Sequence, residues 1–441
     1  MNSNCKFVII GLGVTGLSCA KFLAKFNEDF IIVDTREQPP LLAELQSKLP
    51  AAKIILGCKS DNLPLAKIAV VSPGMSLTDP MIQFYCHNQA EIIGDVELFA
   101  RHVKVPVIAI TGTNAKSTVT TLVAKMLQAA GKIVAVGGNL GVPALDLLSE
   151  TNAEVMVLEL SSFQLETTYS LRPTVATILN ISEDHLDRHG TIENYIQAKR
   201  RIYSQAAAIV VNADDANTDF ASNDKISFTL GQPGKQQFGI ISANQQRFLS
   251  FGEEKLLNCA ELPVPGSHYQ ANALAAMAIC YKAGIDFSAM ITTLKQFLGL
   301  AHRCEVVRTL QQVLWINDSK GTNIGATQAA LKGIGAAIEG SIILIAGGVG
   351  KGADFRQLIP EIQQFVSYII LFGQDAAVMA QAFDNIVSFQ QVENLSAAVS
   401  VARQLAQPND CVLLSPACAS YDMFKNFEHR GDVFKQLVNE L

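Results

Sequence analysis

Short apolar runs, each about the length of a buried strand, recur along the chain and are separated by stretches with helical periodicity. The first series is "KFVIIG", "FIIVDTR" and "IAVVSPG". A second opens at "VPVIAITGTNAKST", with a strand predicted from Pro106 to about Thr111. In the segment that follows, Val119, Leu122, Val123, Met126 and Leu127 share one helical face, and Gly131 is placed to end it. Further strands are predicted at "EVMVLEL", ending near Glu159, at "TVATILN", ending at Asn180, and at "AAIVVNADD". Weak alternation from about Gln236 to Glu261 predicts small antiparallel strands, and "HYQANALAAMAICYKAG" predicts an alanine-rich helix. The third series is "VLWINDS", "SIILIAGG", "YIILFG" and "CVLLSPA". Strands alternating with helices imply an α/β fold with largely parallel sheets. The breaks in pattern and the length of 441 residues suggest three domains, 1–95, 96–300 and 301–441.

Composition narrows the class. With 49% hydrophobic and 17% charged residues the chain can bury several cores and is not of disordered type. Mean hydropathy is positive, yet no apolar run approaches the ~18 residues of a spanning helix, so no membrane insertion is expected. The opening "MNSNCKFVIIGLGVTGLSCA" is short in apolar length and broken by glycine, so no secretory leader is expected. Nine cysteines without a CxxC pair suit a reducing cytoplasm. A net charge of −6 argues against a nucleic-acid surface, so an anionic ligand must be held by local loops and a few cations.

Two loops are built for phosphate. "GLGVTG" places Gly11, Gly13 and Gly16 between a strand and a helix, and Asp34 ends the next strand. That context brings backbone N–H groups to a diphosphate at a helix start. It fits a nicotinamide or flavin dinucleotide, another nucleotide diphosphate, or a structural tight turn. "TGTNAKST" resembles the GxxxxGK[ST] loop but carries Ile110 and Ala115 where that motif has glycines. The physical needs remain met: inward N–H groups, a helix N-terminus, Lys116 for outer phosphates and Ser117 for Mg²⁺. Ala115 either has negative φ or bears a left-handed cost of about 1–2 kcal/mol. Glu159 and the polar loop around His185 end neighbouring strands, the edge where α/β sheets bind ligands, and both are candidate metal ligands.

"TGTNAKST", "LELSSFQLE", "LNISEDHLDRHG", "AKRRIY", "VVNADD", "LAHRCEVV", "INDSKGTN", "GGVGKGADF" and "LLSPACASYDMFKNFEHRG" occur in order along nearly the whole chain. Together they resemble the Mur ligases, ATP-dependent amino-acid ligases of cell-wall synthesis. The last two blocks and "GLGVTGLS" resemble the branch that couples D-glutamate to UDP-N-acetylmuramoyl-L-alanine; a sibling Mur or folylpolyglutamate-type ligase with another amino acid is the alternative. The resemblance implies an N-terminal Rossmann-like UDP-binding domain, a central P-loop ATPase-like domain and a C-terminal Rossmann-like amino-acid-binding domain. It implies two-step amide synthesis through an acyl phosphate and a tetrahedral intermediate, giving ADP and phosphate, by a cytoplasmic monomer in peptidoglycan precursor synthesis.

Site roles follow from the same resemblance. Gly13, Val14, Thr15, Asp34, Thr35, Arg36, Ser72 and Gly74 would hold the UDP end, and Asn139, Ser161 and Gln164 the muramoyl-alanine part. Gly112, Thr113, Asn114, Ala115, Lys116, Ser117 and Thr118, with Asn272, Arg303 and Asp318, would bind ATP. Two Mg²⁺ ions are implied, with Ser117, Glu159, His185 and Lys199 as ligands. Lys199 would act as a carbamate formed with CO₂, because a free ammonium repels Mg²⁺ whereas a carbamate offers anionic oxygen. Lys116, Lys199, His185 and Glu159 would form the catalytic set. Thr322, Lys351, Ser415 and Phe424 would contact D-glutamate.

Overall fold

The structure is a computed structural model that describes residues 5–58, 63–139, 141–150, 152–264 and 266–441. Residues 1–4, part of the opening stretch read above for a leader, lie outside the described residues. The chain divides into two compact units. The first comprises Met1–Ile181, Arg188–Phe228 and Ala275–Met290; the second comprises Ser182–Asp187, Thr229–Leu274 and Ile291–Leu441.

The first unit begins with β1 (Cys5–Ile10), β2 (Phe30–Asp34), β3 (Lys53–Leu56), β4 (Ala66–Val71) and β5 (Glu91–Ile93). They form a parallel sheet in the order β3-β2-β1-β4-β5. Strand side chains alternate between faces. Phe7 and Ile9 accordingly join one buried cluster, and Val8 and Ile10 the other. The same unit continues with β6 (Val107–Thr111), β7 (Val134–Gly138), β8 (Val155–Glu159), β9 (Val175–Ile178), β10 (Ala208–Asn212) and β11 (Lys225–Phe228). These are parallel in the order β11-β10-β9-β6-β8-β7. All five residues of β6 and of β8 are buried, as expected for strands covered on both faces. β6 therefore lies between β8 and β9, which fixes what stands beside the loop that follows it.

The helix Lys116–Ala129 buries the face read from its sequence, including Val119, Leu122, Val123, Met126 and Leu127. β9 ends at Ile178, two residues short of the expected Asn180. Asn180 instead turns toward the phosphate loop, where its carbonyl accepts from Thr113 N–H at 2.9 Å.

The second unit contains the antiparallel meander β12 (Gln237–Ala243), β13 (Gln246–Phe251) and β14 (Glu254–Asn258), as the alternation predicts. It also contains β15 (Glu305–Leu310), β16 (Val313–Asn317), β17 (Ile342–Gly347), β18 (Val366–Phe372), β19 (Ser388–Gln391) and β20 (Cys411–Leu414), ordered β15-β16-β20-β17-β18-β19. Leu344 and Leu413 face one core, and Ile345 and Leu414 the opposite one. The helix Phe427–Asn439 inserts Arg430, which is fully buried. Its guanidinium donates to Ser319 Oγ and O at 2.9 Å each, and to Cys418 O at 3.1 Å. Burial pulls its pKa down to about 10. Arg430 thereby joins the loops that follow β16 and β20.

No helix among the described residues is long and apolar enough to cross a membrane.

Candidate active site

The glycine loop after β1 and the turn after β4 line a cleft of about 790 Å³ in the first unit. Gly13, Val14, Thr15, Asp34, Thr35, Arg36, Ser72, Gly74, Asn139 and Gln164 all line it. Val14 is 62% exposed at the start of the helix Val14–Lys25, so the helix N-terminus opens into the cleft. A Cβ on Gly16 would lie 1.9 Å from Gly11 O, so helix and loop can meet only without a side chain there.

Asp34 takes a different part from that of a ribose acceptor. It is 3% exposed, and Leu12 N–H donates to its Oδ2 at 2.8 Å. Arg36 donates its backbone N–H and Nε to Oδ1 at 2.9 Å each, and Nη2 to Oδ2 at 2.7 Å. A carboxylate accepts about four hydrogen bonds, so Asp34 is filled by its own chain. Burial pushes this carboxyl up, but the Arg36 and Leu12 donors outweigh it and hold the pKa below the ordinary value. Asp34 thus braces the glycine loop and presents Arg36. This arrangement counts against a dinucleotide reading that needs its oxygens free for a ribose diol.

Ser161 and Gln164 form a capping box on the helix Ser162–Glu166. Gln164 N–H donates to Ser161 Oγ at 3.2 Å, and Ser161 N–H returns to Gln164 Oε1 at 3.1 Å. Gln164 therefore faces the cleft from a fixed rotamer, whereas Ser161 is not among the lining residues. The Gln164 amide also serves Asp95, whose carboxyl burial pushes up to about 6, against donors from Val96 N–H, Gln164 and its own N–H. A raised carboxyl pKa means that the native state takes up a proton before the unfolded chain does. Its stabilising contribution is complete below pH ~4 and is lost as pH rises through about 6. We expect Asp95→Asn to remove that loss: relative to the parent, its melting temperature should gain between pH 4 and 7, by up to roughly 2–3 kcal/mol in stability. Parallel melts across that range check it.

At the carboxyl edge of β6, β8 and β9 the phosphate loop is closed on itself. Lys116 Nζ donates to Gly112 O at 2.9 Å and Thr113 O at 2.8 Å. Asn180 clamps the loop from the next strand: its Oδ1 accepts from Asn114 N–H at 2.8 Å, and its Nδ2 donates to Asn114 O at 3.2 Å. Ala115 has φ 65° and ψ −3°, so it is left-handed and strained. Ala115→Gly relieves about 1–2 kcal/mol and gives back roughly 0.4–1 kcal/mol through the freer unfolded chain. The variant is expected to melt at or slightly above the parent temperature with activity retained; a clear drop in a thermal melt would contradict this account.

Glu159 ends β8 beside that loop. It is 2% exposed, and its Oε1 accepts from Asn139 Nδ2 at 2.7 Å. Its Oε2 is buried with no hydrogen-bond partner. A bare buried carboxylate oxygen is costly unless a cation satisfies it, which is the donor that a hard divalent ion takes. Ser117, at the first turn of the helix, is also buried. Among the described residues no group of three or more His, Cys, Asp or Glu could hold a metal by itself. The set fits Mg²⁺, which binds through one or two carboxylates together with phosphate oxygens and water.

Lys199 lies on the helix Ile192–Arg200 and is 1% exposed, where a snorkelling lysine would reach water. Its Nζ donates to Gly112 O at 2.9 Å and Thr111 Oγ1 at 3.4 Å, and stands 4.6 Å from the Tyr195 ring centroid. Tyr195, one turn earlier and fully buried, has its hydroxyl 3.1 Å from Thr113 Oγ1. Asn180, expected only as a strand end, and Tyr195 had no predicted part in the site. The i, i+4 spacing of Tyr195 and Lys199 is the signal that could have found the second.

The remaining predicted residues fall in the second unit. His185 has φ 55° and Nε2 3.7 Å from Asp184 Oδ2. His185, Thr322 and Lys351 line a cavity of about 200 Å³, with Asn323 and Gln357. Ser415 and Phe424 are not among its lining residues. Ser415 is fully buried and donates to Asp318 Oδ2 at 2.7 Å, with Thr327 Oγ1 at 3.1 Å. Two residues expected on different ligands, Asp318 and Ser415, are thus bonded to each other. Burial pushes the Asp318 carboxyl up to about 6, against Ser415, Cys304 N–H and the charge of Arg303. Phe424 is half-buried with its ring 5.7 Å from His429. Asn272 is half-buried on the helix Ser267–Lys282.

Comparisons with known proteins agree along the chain. Residues 5–94 match the Mur ligase MurD-like N-terminal domain, 110–280 the Mur ligase middle domain and 302–418 the Mur ligase glutamate ligase domain. A UDP-N-acetylmuramoylalanine–D-glutamate ligase of Pseudomonas aeruginosa is 48% identical over 438 residues, 98% of each chain. One of Legionella pneumophila is 47% identical over 443 residues, 99% of each. Among solved structures, a UDP-N-acetylmuramate–alanine ligase of Thermotoga maritima superposes with TM-score 0.63 at 18% identity, covering 99% of both chains. A Mycobacterium tuberculosis folylpolyglutamate synthase complexed with ADP and AMPPCP gives TM-score 0.58 at 15% identity, covering 75% of this chain and 91% of that one. At such identities these two speak for the fold alone.

Proposed function

The chain belongs to the Mur ligase family, with its three-domain α/β fold, and from that premise we propose that it joins D-glutamate to UDP-N-acetylmuramoyl-L-alanine at the expense of ATP. Among the observations of geometry, one carries the reading furthest. The Lys116 loop, the bare Glu159 oxygen and the buried Lys199 amine meet at one edge of one sheet.

The chemistry needs charge neutralised and groups aligned, because an anionic carboxylate must attack an anionic phosphate. Lys116 would exchange the Gly112 and Thr113 carbonyls for the outer phosphates of ATP. Ser117 and Glu159 are the proposed donors to one Mg²⁺, with His185 and carbamylated Lys199 assigned to a second. When bound, Mg²⁺ supplies positive charge against the phosphates and the leaving oxygen. The carboxylate of UDP-N-acetylmuramoyl-L-alanine takes the terminal phosphoryl group, giving an acyl phosphate and ADP. The neutral amine of D-glutamate adds to the acyl carbon, loses a proton, and the tetrahedral intermediate expels phosphate as the amide forms.

The cleft of about 790 Å³ suits the UDP-sugar, with loop amides for the diphosphate and Arg36 beside the uracil position. Arg303, Asp318 and Asn272 are assigned to ATP. Lys351, Thr322, Ser415 and Phe424 are assigned to D-glutamate, the last two from outside the 200 Å³ cavity. The same proposal places a monomeric enzyme in the cytoplasm, in peptidoglycan precursor synthesis, with domain limits near 95 and 300.

Phosphate release from ATP, measured with UDP-N-acetylmuramoyl-L-alanine and a panel of amino acids, tests it. D-glutamate should support turnover. Turnover with L-alanine or a diamino acid, and none with D-glutamate, would replace this reading by a sibling ligase.

A further inference from the structure

We propose that Asp375, outside all the assigned sites, is a positioning residue for Lys351 and so for the incoming amino acid; the inference rests on the reading above that Lys351 grips D-glutamate. The turn after β17 places Lys351 at φ 53°. A side-chain-bearing residue keeps that backbone only where its surroundings impose it.

The imposing group is Asp375. Gly350 N–H donates to Asp375 Oδ2 at 2.6 Å, across a sequence separation of 25. Asp375 N–H donates in return to Gly348 O at 3.0 Å. A Cβ on Gly350 would stand 2.5 Å from Phe355 Cζ and 3.2 Å from Asp375 Oδ2, so the turn is wedged between ring and carboxylate. β17 and β18 are parallel neighbours that pair up to Gly347 and Phe372, which brings the turns following them side by side. The second turn is anchored too: Gln374 N–H donates to Asp422 Oδ2 at 2.9 Å.

Asp375 also departs from what its position calls for. It is the N-cap of the helix Ala376–Phe383, where an aspartate ordinarily accepts from the first-turn N–H groups. Its side chain makes no such cap. The carboxylate serves the Lys351 turn instead of its own helix. Gly350 and Lys351 both line the cavity of about 200 Å³, so displacing this bond moves the cation relative to the space it faces.

The test uses the full chain and steady-state phosphate release, with D-glutamate varied at saturating ATP and UDP-N-acetylmuramoyl-L-alanine. Asp375→Ser is the informative variant, because serine can cap its own helix but is too short to reach Gly350. It should melt no lower than the parent, while KM for D-glutamate rises about tenfold or more, the loss of one charge-assisted hydrogen bond. KM for ATP should stay within about twofold. Asp375→Asn, which keeps an acceptor oxygen, should return KM for D-glutamate to within roughly threefold of the parent. Combining Asp375→Ser with Lys351→Ala should add little to Lys351→Ala alone, since both act through one cation. An unchanged KM for D-glutamate in Asp375→Ser, alongside a raised one in Lys351→Ala, overturns the inference and leaves the ligase reading intact. A collapse of folding, or an equal rise in every KM, also overturns it, as the mark of a merely structural role. If Lys351→Ala itself leaves KM for D-glutamate unchanged, the underlying assignment fails instead.

Discussion

Lys116→Ala should lower turnover by about 10³-fold, the scale seen when one preorganised donor to developing charge is removed. The ammonium sits 2.9 Å from Gly112 O and 2.8 Å from Thr113 O, already inside the loop that would surround a triphosphate. Removing it takes away the loop's own cation and leaves the Thr113 carbonyl facing the incoming anion. The folded state should lose little, about 1 kcal/mol for two bonds that water can partly replace. Phosphate-release kinetics beside a thermal melt separate the two effects. Arginine should not restore activity, because its planar fork is longer and shaped differently from a compact ammonium. Turnover within tenfold of the parent would remove Lys116 from the phosphate site.

The second large effect is expected from Lys199→Ala. Lys199 reaches Gly112 O, the same carbonyl that Lys116 engages, so the two lysines bracket one end of the loop. If Lys199 carries a carbamate, its loss removes an anionic oxygen ligand for Mg²⁺, and activity should fall to background. Formate or acetate at high concentration should restore part of it by supplying a carboxylate in the vacated space. A carbamate forms only with CO₂, so bicarbonate depletion of the parent should mimic the mutation in part. Mass measurement of the intact chain under mild conditions gives a direct reading of the adduct. Undiminished turnover in Lys199→Ala excludes the carbamate. Loss of activity without rescue, together with a lowered melting temperature, would assign Lys199 to holding the loop through Gly112 and Tyr195.

Much of the frame was legible because it is written locally. A strand, a loop with Gly112, Lys116 and Ser117, and a helix with one apolar face appear in sequence order, and backbone hydrogen bonding and side-chain periodicity act over a few residues. The short strands β3, β5 and β19 gave little signal, since edge strands of three or four residues carry too few positions to show a period. Glu159 could be placed at a strand end, but its bare oxygen could not, because that depends on Asn139 taking the other one.

The sequence by itself determined where the longer strands and helices and the two glycine-bearing loops fall, because those follow from near-neighbour chemistry. Only the tertiary structure decided that Ala115 is left-handed, that Asp34 is spent on Leu12 and Arg36, that Lys199 is buried, and that Asp375 reaches Gly350. These rest on contacts between distant or strained positions, set when parallel strands assemble out of chain order, with β6 between β8 and β9. No local pattern encodes which strands become neighbours, because that choice is made by burying whole apolar faces together.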